Sequence, residues 1–222
     1  MIHRDTVSAE YTSEPDPQPT VFVVDDDVSV REALELLIRC AGWRPALFES
    51  AHAFLSHTRV KTPRCLVLDL TLPDLDGLEL QKRIAMEQRQ MPIIFITGYS
   101  DVRMTVRAMK AGAFEFLTKP FVVSELSSAI ERAIERSRMA LFEDAALQSL
   151  HERYSSLSTR EREVMRLVVS GLLNKQIGGV LGISEITVKA HRGNVMRKMM
   201  AFSLADLVKM DTSLPTAAQL SA

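Results

Sequence analysis

Acidic, hydroxyl and basic side chains follow four of the five short apolar runs in the first half of the chain. The first run is followed by Asp25, Asp26 and Asp27, and the later ones by Asp69, Thr97, Thr118 and Lys119. Clustered carboxylates supply the hard oxygen ligands that Mg²⁺ prefers, and a carboxylate left free can attack a phosphoryl group to give an aspartyl phosphate. A lysine can pair with the phosphoryl group, and a threonine hydroxyl can donate to one of its oxygens. These residue types indicate a phosphoryl-transfer site.

Asp69 is the best candidate for the nucleophile, because it stands alone at the end of a central apolar run. Asp25 and Asp26 then form the metal side of the site. An acidic residue at a strand end more often caps the following helix, as Asp27 and Asp76 could do. Capping is the more common explanation for any one position, but the whole set together with the lysine favours a site.

The apolar runs alternate with segments of helical spacing, and this alternation predicts how the site is assembled. Continuous apolar runs indicate strands buried on both faces, and five strand–helix pairs in about 120 residues predict a parallel sheet with helices on both faces. Ligands bind beyond the carboxyl ends of such strands. The predicted strands cover residues 20–24, 44–48, 65–68, 92–96 and 114–117.

Composition changes along the 222 residues divide the chain into four parts. Residues 1–19 contain three prolines and few large apolar side chains, which predicts a disordered tail. The sheet domain covers 20–135, and its last helix continues through a helical linker at 136–154. Short helices at 155–215 form a small all-α domain.

The C-terminal domain is basic. Residues 155–211 carry nine Lys and Arg against five Asp and Glu, a charge of +4, whereas the rest carries 18 against 23, a charge of −5. Such asymmetry is expected where one part meets a polyanion, although an ordinary solvated surface is also compatible with it. Helices at 174–181 and 185–199 around a tight turn predict a helix-turn-helix, whose second helix enters the major groove of DNA.

The predicted second helix has two opposite faces. Val188, Val195 and Met199 form a stripe that should pack on the domain. The opposite face is lightly built and cationic, and it consists of Ile186, Lys189, Ala190, Gly193 and Arg197. The first helix contains Gly178 and Gly179, each of which costs about 1 kcal/mol relative to alanine.

Other features exclude several classes of protein. No run of 18 apolar residues occurs, and the polar N-terminus is unlike a signal peptide, so we expect a non-exported, cytoplasmic protein with no membrane contact. Cys40 and Cys65 lack a CxxC spacing, which argues against a disulfide framework or zinc site. Both cysteines are expected in the core.

Several segments resemble the receiver domain of two-component response regulators. They are residues 23–27 (VVDDD), 68–77 (LDLTLPDLDG), 95–98 (FITG), 109–113 (MKAGA) and 119–121 (KPF). The resemblance implies a flavodoxin-like, CheY-like doubly wound parallel sheet of five strands in the order 2-1-3-4-5.

The resemblance also implies roles for single residues. Asp69 would accept the phosphoryl group from a sensor histidine kinase. Mg²⁺ or Mn²⁺ would be held by Asp25, Asp26 and Asp69 together with the backbone carbonyl of Thr71, with Asp26 a direct ligand. The remaining roles are Thr97 as the switch hydroxyl, Phe116 as the switch aromatic residue and Lys119 as the site lysine. Tyr99 departs from the small residue or histidine of close relatives, and we expect it to shield the phosphoryl group from water.

The C-terminal segments 157–164 (LSTREREV), 171–177 (GLLNKQI) and 183–192 (ISEITVKAHR) resemble the LuxR-type DNA-binding domain. The whole arrangement over residues 20–210 is similar to the FixJ/NarL family, nearer its FixJ branch. It implies double-stranded DNA with two half-sites, RNA polymerase and a homodimer formed on phosphorylation as partners. The implied DNA contacts are Lys189 to bases or phosphates, Arg192 and Arg197 to phosphates, Ala190 and Gly193 at the groove, and Lys175 more weakly.

Two other functions fit these residues less well. A magnesium-dependent phosphatase with an aspartyl nucleophile needs a second acid two residues after it, but Thr71 stands there. An adaptor with a vestigial site is disfavoured by the intact Asp26, Asp69, Thr97 and Lys119. The sequence therefore predicts a phosphorylation-controlled transcription factor, not an enzyme.

Overall fold

The computed structural model describes residues 18–57, 61–87, 91–98 and 102–214. The predicted tail up to residue 17 and Tyr99 lie outside these residues. The chain divides into two compact units, residues 1–141 and 142–222. No helix in the described ranges is long and apolar enough to cross a membrane.

The N-terminal unit is a doubly wound α/β domain. Within the described residues its strands form one parallel sheet of five strands in the order β2-β1-β3-β4-β5, which confirms the predicted topology. The elements are β1 (Thr20–Val24), α1 (Val28–Cys40), β2 (Arg44–Phe48), α2 (Ala51–Leu55), β3 (Arg64–Asp69), α3 (Gly77–Glu87), β4 (Ile93–Thr97), α4 (Val102–Lys110), β5 (Glu115–Thr118) and the first part of α5 (Val123–Ser155). The residues of α5 from 142 onward belong to the C-terminal unit.

The two faces of the sheet bury separate cores. Because side chains alternate along a strand, Phe22 points to one core, with residues of α2 and α3, whereas Val21 points to the other, with residues of α1 and α5. The central strands β1 and β4 are buried along their whole length. Burial on both faces explains why these strands consist of continuous apolar residues.

The register of the strands brings their carboxyl ends to one edge. Asp69, the last residue of β3, pairs with Ile96, and Thr97 pairs with Thr118. The residues after β1, β3, β4 and β5 therefore lie at the same edge of the sheet.

The C-terminal unit contains the short helices α6 (Thr159–Val169), α7 (Asn174–Leu181), α8 (Glu185–Met199) and α9 (Leu204–Ser213). A capping box is present at the start of α6. The backbone N–H of Ser158 donates to Glu161 Oε2 at 2.8 Å, and that of Glu161 donates to Ser158 Oγ at 3.3 Å.

One expectation about the core is wrong. Cys65 is buried, but Cys40 is exposed. Cys40 ends α1 two residues after the buried Ile38. Two residues correspond to about 200° of rotation around a helix, so Cys40 faces away from the core.

Candidate functional site

Lys119 links two carboxylates at the edge of the sheet. Its Nζ lies 2.7 Å from Asp25 Oδ2 and 2.7 Å from Asp69 Oδ2. Asp25 directly follows β1 and Asp69 ends β3, so these neighbouring strands place their carboxylates on either side of one ammonium group. The backbone N–H of Lys119 donates to the Thr97 carbonyl oxygen at 2.7 Å, which fixes the loop after β5 against the end of β4.

A third carboxylate completes the cluster. One oxygen each from Asp25, Asp26 and Asp69 lies within 4.8 Å of the others. Asp25 and Asp69 are buried, whereas Asp26 is exposed. Three clustered carboxylates outnumber the one ammonium group, and the cluster reaches solvent at the exposed Asp26. This donor set fits a hard divalent cation.

Burial and hydrogen bonding shift the pKa values of Asp25 and Lys119 in opposite directions. Burial raises the pKa of Asp25 above its ordinary value, although hydrogen bonds from Lys119 and from the Asp27 N–H work against the shift. Burial alone would lower the pKa of Lys119, but the hydrogen bonds to Asp25 and Asp69 outweigh it and raise that pKa. Lys119 therefore stays protonated and donates to both carboxylates.

The loop after β3 is positioned by backbone contacts. The Thr71 N–H donates to Asp69 Oδ1 at 3.0 Å, which orients the carboxylate. A Cβ atom on Gly77 would lie 2.9 Å from the Asp69 carbonyl oxygen, closer than real Cβ contacts. Only glycine allows the start of α3 to come this close to the strand end. Our sequence analysis did not single out Gly77 as a site residue.

Asp74 ties the same loop to α2, a role that our sequence analysis also missed. Its Oδ2 accepts the His52 N–H at 3.0 Å and lies 2.7 Å from His52 Nδ1, and its Oδ1 accepts the Ala51 N–H at 3.3 Å. These contacts supplement Ser50, which caps α2 through the Ala53 N–H. The contact joins residues 22 positions apart, so no local pattern indicates it.

The two predicted switch residues lie on adjacent strands. Thr97 is buried at the end of β4. Phe116 is half-buried on β5, and its ring centroid lies 6.3 Å from that of Phe95.

Asp27 has a structural role beside the site. It accepts the Ser29 N–H at 2.8 Å and caps α1, as the capping interpretation predicts.

In the C-terminal unit, α7 and α8 form the predicted helix-turn-helix. Gly182 ends α7 in a left-handed conformation with φ 66°. Ser184 then begins α8 by accepting the Thr187 N–H at 3.1 Å. The predicted packing stripe of Val188, Val195 and Met199 is buried.

The predicted DNA-facing residues differ in their exposure and in the hydrogen bonds that their side chains already make. Lys189, Ala190, Gly193, Arg197 and Lys175 are exposed. Arg192 is half-buried, and its Nη1 donates to Asn174 Oδ1 at 3.2 Å, which connects α8 to the start of α7. Arg197 donates to Asn194 Oδ1 at 3.1 Å on its own helix. Arg192 thus has a structural contact that the sequence pattern did not indicate.

The glycine pair of α7 has a packing explanation at one position. A Cβ atom on Gly178 would lie 2.8 Å from the Ile183 carbonyl oxygen in the turn, whereas one on Gly179 would meet nothing within 4 Å. The close approach at Gly178 allows the turn to fold directly against α7.

The combination of an acidic sheet edge with a helix-turn-helix defines a class of protein. The family model of the response regulator receiver domain matches residues 21–131. The model of bacterial regulatory proteins of the luxR family matches residues 155–210. The chain belongs to the response regulators that join a receiver domain to a LuxR-type DNA-binding domain, the FixJ/NarL type. These are transcription factors that act with a kinase and bind DNA, and they are not enzymes.

Named relatives match nearly the whole chain. Nodulation protein W of Bradyrhizobium diazoefficiens is 48% identical over 87% of this chain and 86% of its own. The transcriptional regulatory protein FixJ of the same species is 42% identical over 86% of this chain and 93% of its own. The solved structure of the response regulator StyR is 47% identical with a TM-score of 0.81, covering 88% of this chain and 98% of the other.

Proposed function

We propose that a sensor histidine kinase transfers a phosphoryl group to Asp69 and that this modification controls sequence-specific DNA binding by α8. The observation that carries the proposal is the clustering of Asp25, Asp26 and Asp69 at one edge of the sheet, where Lys119 joins Asp25 to Asp69. Asp69 is the acceptor because it ends a central strand and its side chain is 11% exposed, whereas that of Asp25 is completely buried.

The donor set of the site supports Mg²⁺, or Mn²⁺, as the cofactor. Asp26 is exposed at the mouth of the cluster, which suits a direct ligand, and the carbonyl oxygen of Thr71 would add another oxygen donor. When bound, the ion supplies positive charge that offsets the negative charge of the phosphoryl oxygens.

The transfer step follows from the position of Asp69. One of its carboxylate oxygens forms a bond to phosphorus as the bond between phosphorus and the kinase imidazole nitrogen breaks, and that nitrogen keeps the electron pair. Lys119 already contacts Asp69 Oδ2 and can move with the charge to a phosphoryl oxygen. The Thr97 hydroxyl donates to another phosphoryl oxygen, and Phe116 follows it inward.

The switched surface lies around α4 and β5. Val102, Val106 and Met109 are exposed at positions i, i+4 and i+7 of α4, so they form one apolar face. Phosphorylation shifts an existing equilibrium toward a state in which this face either forms a homodimer or no longer masks the DNA-binding domain. Two copies of α8 then reach half-sites about one helical turn apart. The protein acts in the cytoplasm, where it meets promoter DNA and RNA polymerase.

The test is treatment of the full chain with acetyl phosphate and Mg²⁺, followed by intact mass and DNA binding. We expect a mass gain of one phosphoryl group and tighter binding, both lost in Asp69→Asn. Asp76→Asn is the matched control, because Asp76 lies in the same loop as Asp69. Its side chain accepts the Leu78 N–H, and asparagine can accept the same hydrogen bond. The proposal fails if Asp69→Asn still gains the phosphoryl group, or if its DNA binding still responds to the treatment.

A further inference from the structure

Ile186 is an apolar side chain displayed to solvent at the start of α8. It lies in the first turn of the helix and is 82% exposed. Isoleucine is among the residue types most often found inside proteins. One exposed isoleucine needs no explanation by itself, so its position on the helix decides its meaning.

Ile186 lies in the centre of the face opposite the core. Ile186, Ala190, Gly193 and Arg197 follow one another at intervals of four, three and four residues, which places them along one line of the helix. All four are exposed. A Cβ atom on Gly193 would meet nothing within 4 Å. The line therefore begins with a bulky apolar group, continues through two small residues and ends in a cation.

This line matches the chemistry of the major groove. The first residues of a recognition helix approach the base edges, and the C5-methyl group of thymine is the apolar group displayed there. We propose that Ile186 is a specificity-determining residue that packs on the C5-methyl group of a thymine in the half-site. This inference rests on the proposed function, in which α8 enters the major groove. Ala190 and Gly193 are small, which lets the helix backbone lie close to the bases.

The charges beside Ile186 favour DNA over a protein partner. Lys189 is three residues further along the helix, and Arg197 ends the same line. In the described part of the chain, the side chain of Lys189 makes no hydrogen bond or ion pair, so its charge is available to a polyanion. An apolar side chain at the start of a helix face that continues into these cations fits the major groove, where thymine methyl groups lie between the phosphate backbones.

The experiment selects bound sequences from random duplex DNA with the full chain, both untreated and treated with acetyl phosphate and Mg²⁺. Thymines of the selected half-site are then replaced one at a time by deoxyuridine, which lacks only the C5-methyl group. We expect one such replacement to weaken binding about fourfold, the factor that burial of one methyl group supplies. Ile186→Ala should bind the unmodified site at least as weakly and should no longer respond to that replacement.

Two variants serve as controls. Ile186→Val keeps a branched methyl group and should retain part of the response to deoxyuridine. Val180→Ala removes another exposed branched side chain, 63% exposed on α7, and should bind as the unmodified chain does. Thermal unfolding of all variants should stay close to that of the parent, because these side chains are exposed.

The outcomes separate the inference from the proposed function. If Ile186→Ala keeps both the affinity and the deoxyuridine penalty, the inference is wrong while DNA binding stands. If Ile186→Ala instead loses only self-association in sedimentation, the side chain serves a protein contact and the inference is equally wrong. If neither the untreated nor the treated chain selects a common DNA sequence, the proposed function itself fails and the inference fails with it.

Discussion

The two neighbouring glycines of α7 offer a sharp test of how the helix-turn-helix is packed. Both lie inside the same helix, so replacing either by alanine should stabilise the folded domain by about 1 kcal/mol through helix propensity alone. At Gly179 the new methyl group meets nothing within 4 Å, so this gain should appear in full. At Gly178 the new Cβ atom would lie 2.8 Å from the Ile183 carbonyl oxygen, and the turn has to move.

The magnitude follows from the difference between the two sites. Overpacking of this kind costs about 1–3 kcal/mol, and a backbone oxygen cannot rotate away as a flexible side chain can. The propensity gain is common to both variants and cancels when they are compared. Gly178→Ala should therefore be less stable than Gly179→Ala by about 1–3 kcal/mol.

The assay is urea unfolding of the full chain followed by helical circular dichroism. The single tryptophan, Trp43, packs in the core of the N-terminal unit, so its fluorescence reports that unit separately. The difference between the two variants should appear in circular dichroism and be absent from Trp43 fluorescence. Equal stability of the variants, or a more stable Gly178→Ala, would refute the close approach at Gly178 as the reason for its glycine.

Three further predictions concern charged groups. Lys119→Met leaves the buried Asp25 without its partner and should destabilise the N-terminal unit by about 3 kcal/mol in Trp43-monitored urea unfolding, with Asp25→Asn restoring most of the loss. The hydrogen bond from Lys198 lowers the pKa of Glu161, so this contribution to stability is present above the ordinary value of 4.5 and is lost as pH falls through the folded pKa. Glu161→Gln keeps the capping geometry, so its deficit against the parent in thermal unfolding should be largest at neutral pH and vanish in acid. In DNA titrations over a range of salt, we expect Lys189→Ala to weaken specific binding more than non-specific binding. Lys175→Ala removes a predicted phosphate contact, so it should weaken both kinds of binding and lower the salt slope by about one unit.

The sheet and the acidic cluster were predictable because they follow from local patterns. Continuous apolar runs mark strands buried on both faces, and parallel strands necessarily bring their carboxyl ends to one edge. Asp25, Asp69 and Lys119 could thus be placed together without knowing any tertiary contact. The prediction for Cys40 was wrong because it relied on the apolar character of the residue alone. It did not consider which side of α1 the residue lies on.

The contacts that sequence analysis missed join segments that no periodic pattern connects. Asp74 supports α2 from 22 residues away, and Arg192 bonds Asn174 from 18 residues away. Gly77 and Gly178 must be glycine because a backbone carbonyl oxygen lies too close to leave room for a Cβ atom. That separation is set by the folded structure and cannot be inferred from the neighbouring sequence. Such contacts do not alter the fold class, but they set the position of the Asp69 loop and of the recognition helix.

The basic charge of the C-terminal domain shows how the structure refines a composition argument. A net charge of +4 counts every cation equally, yet Lys198 is paired with Glu161 at 2.7 Å and Arg192 is bonded to Asn174. Among the described residues, the exposed Lys175 and Lys189 carry no such contact, and both belong to the helix-turn-helix. The helix-turn-helix therefore offers unneutralised charge to a polyanion, as do the exposed Arg166 on α6 and Lys209 on α9, although the net charge of the whole chain is −1.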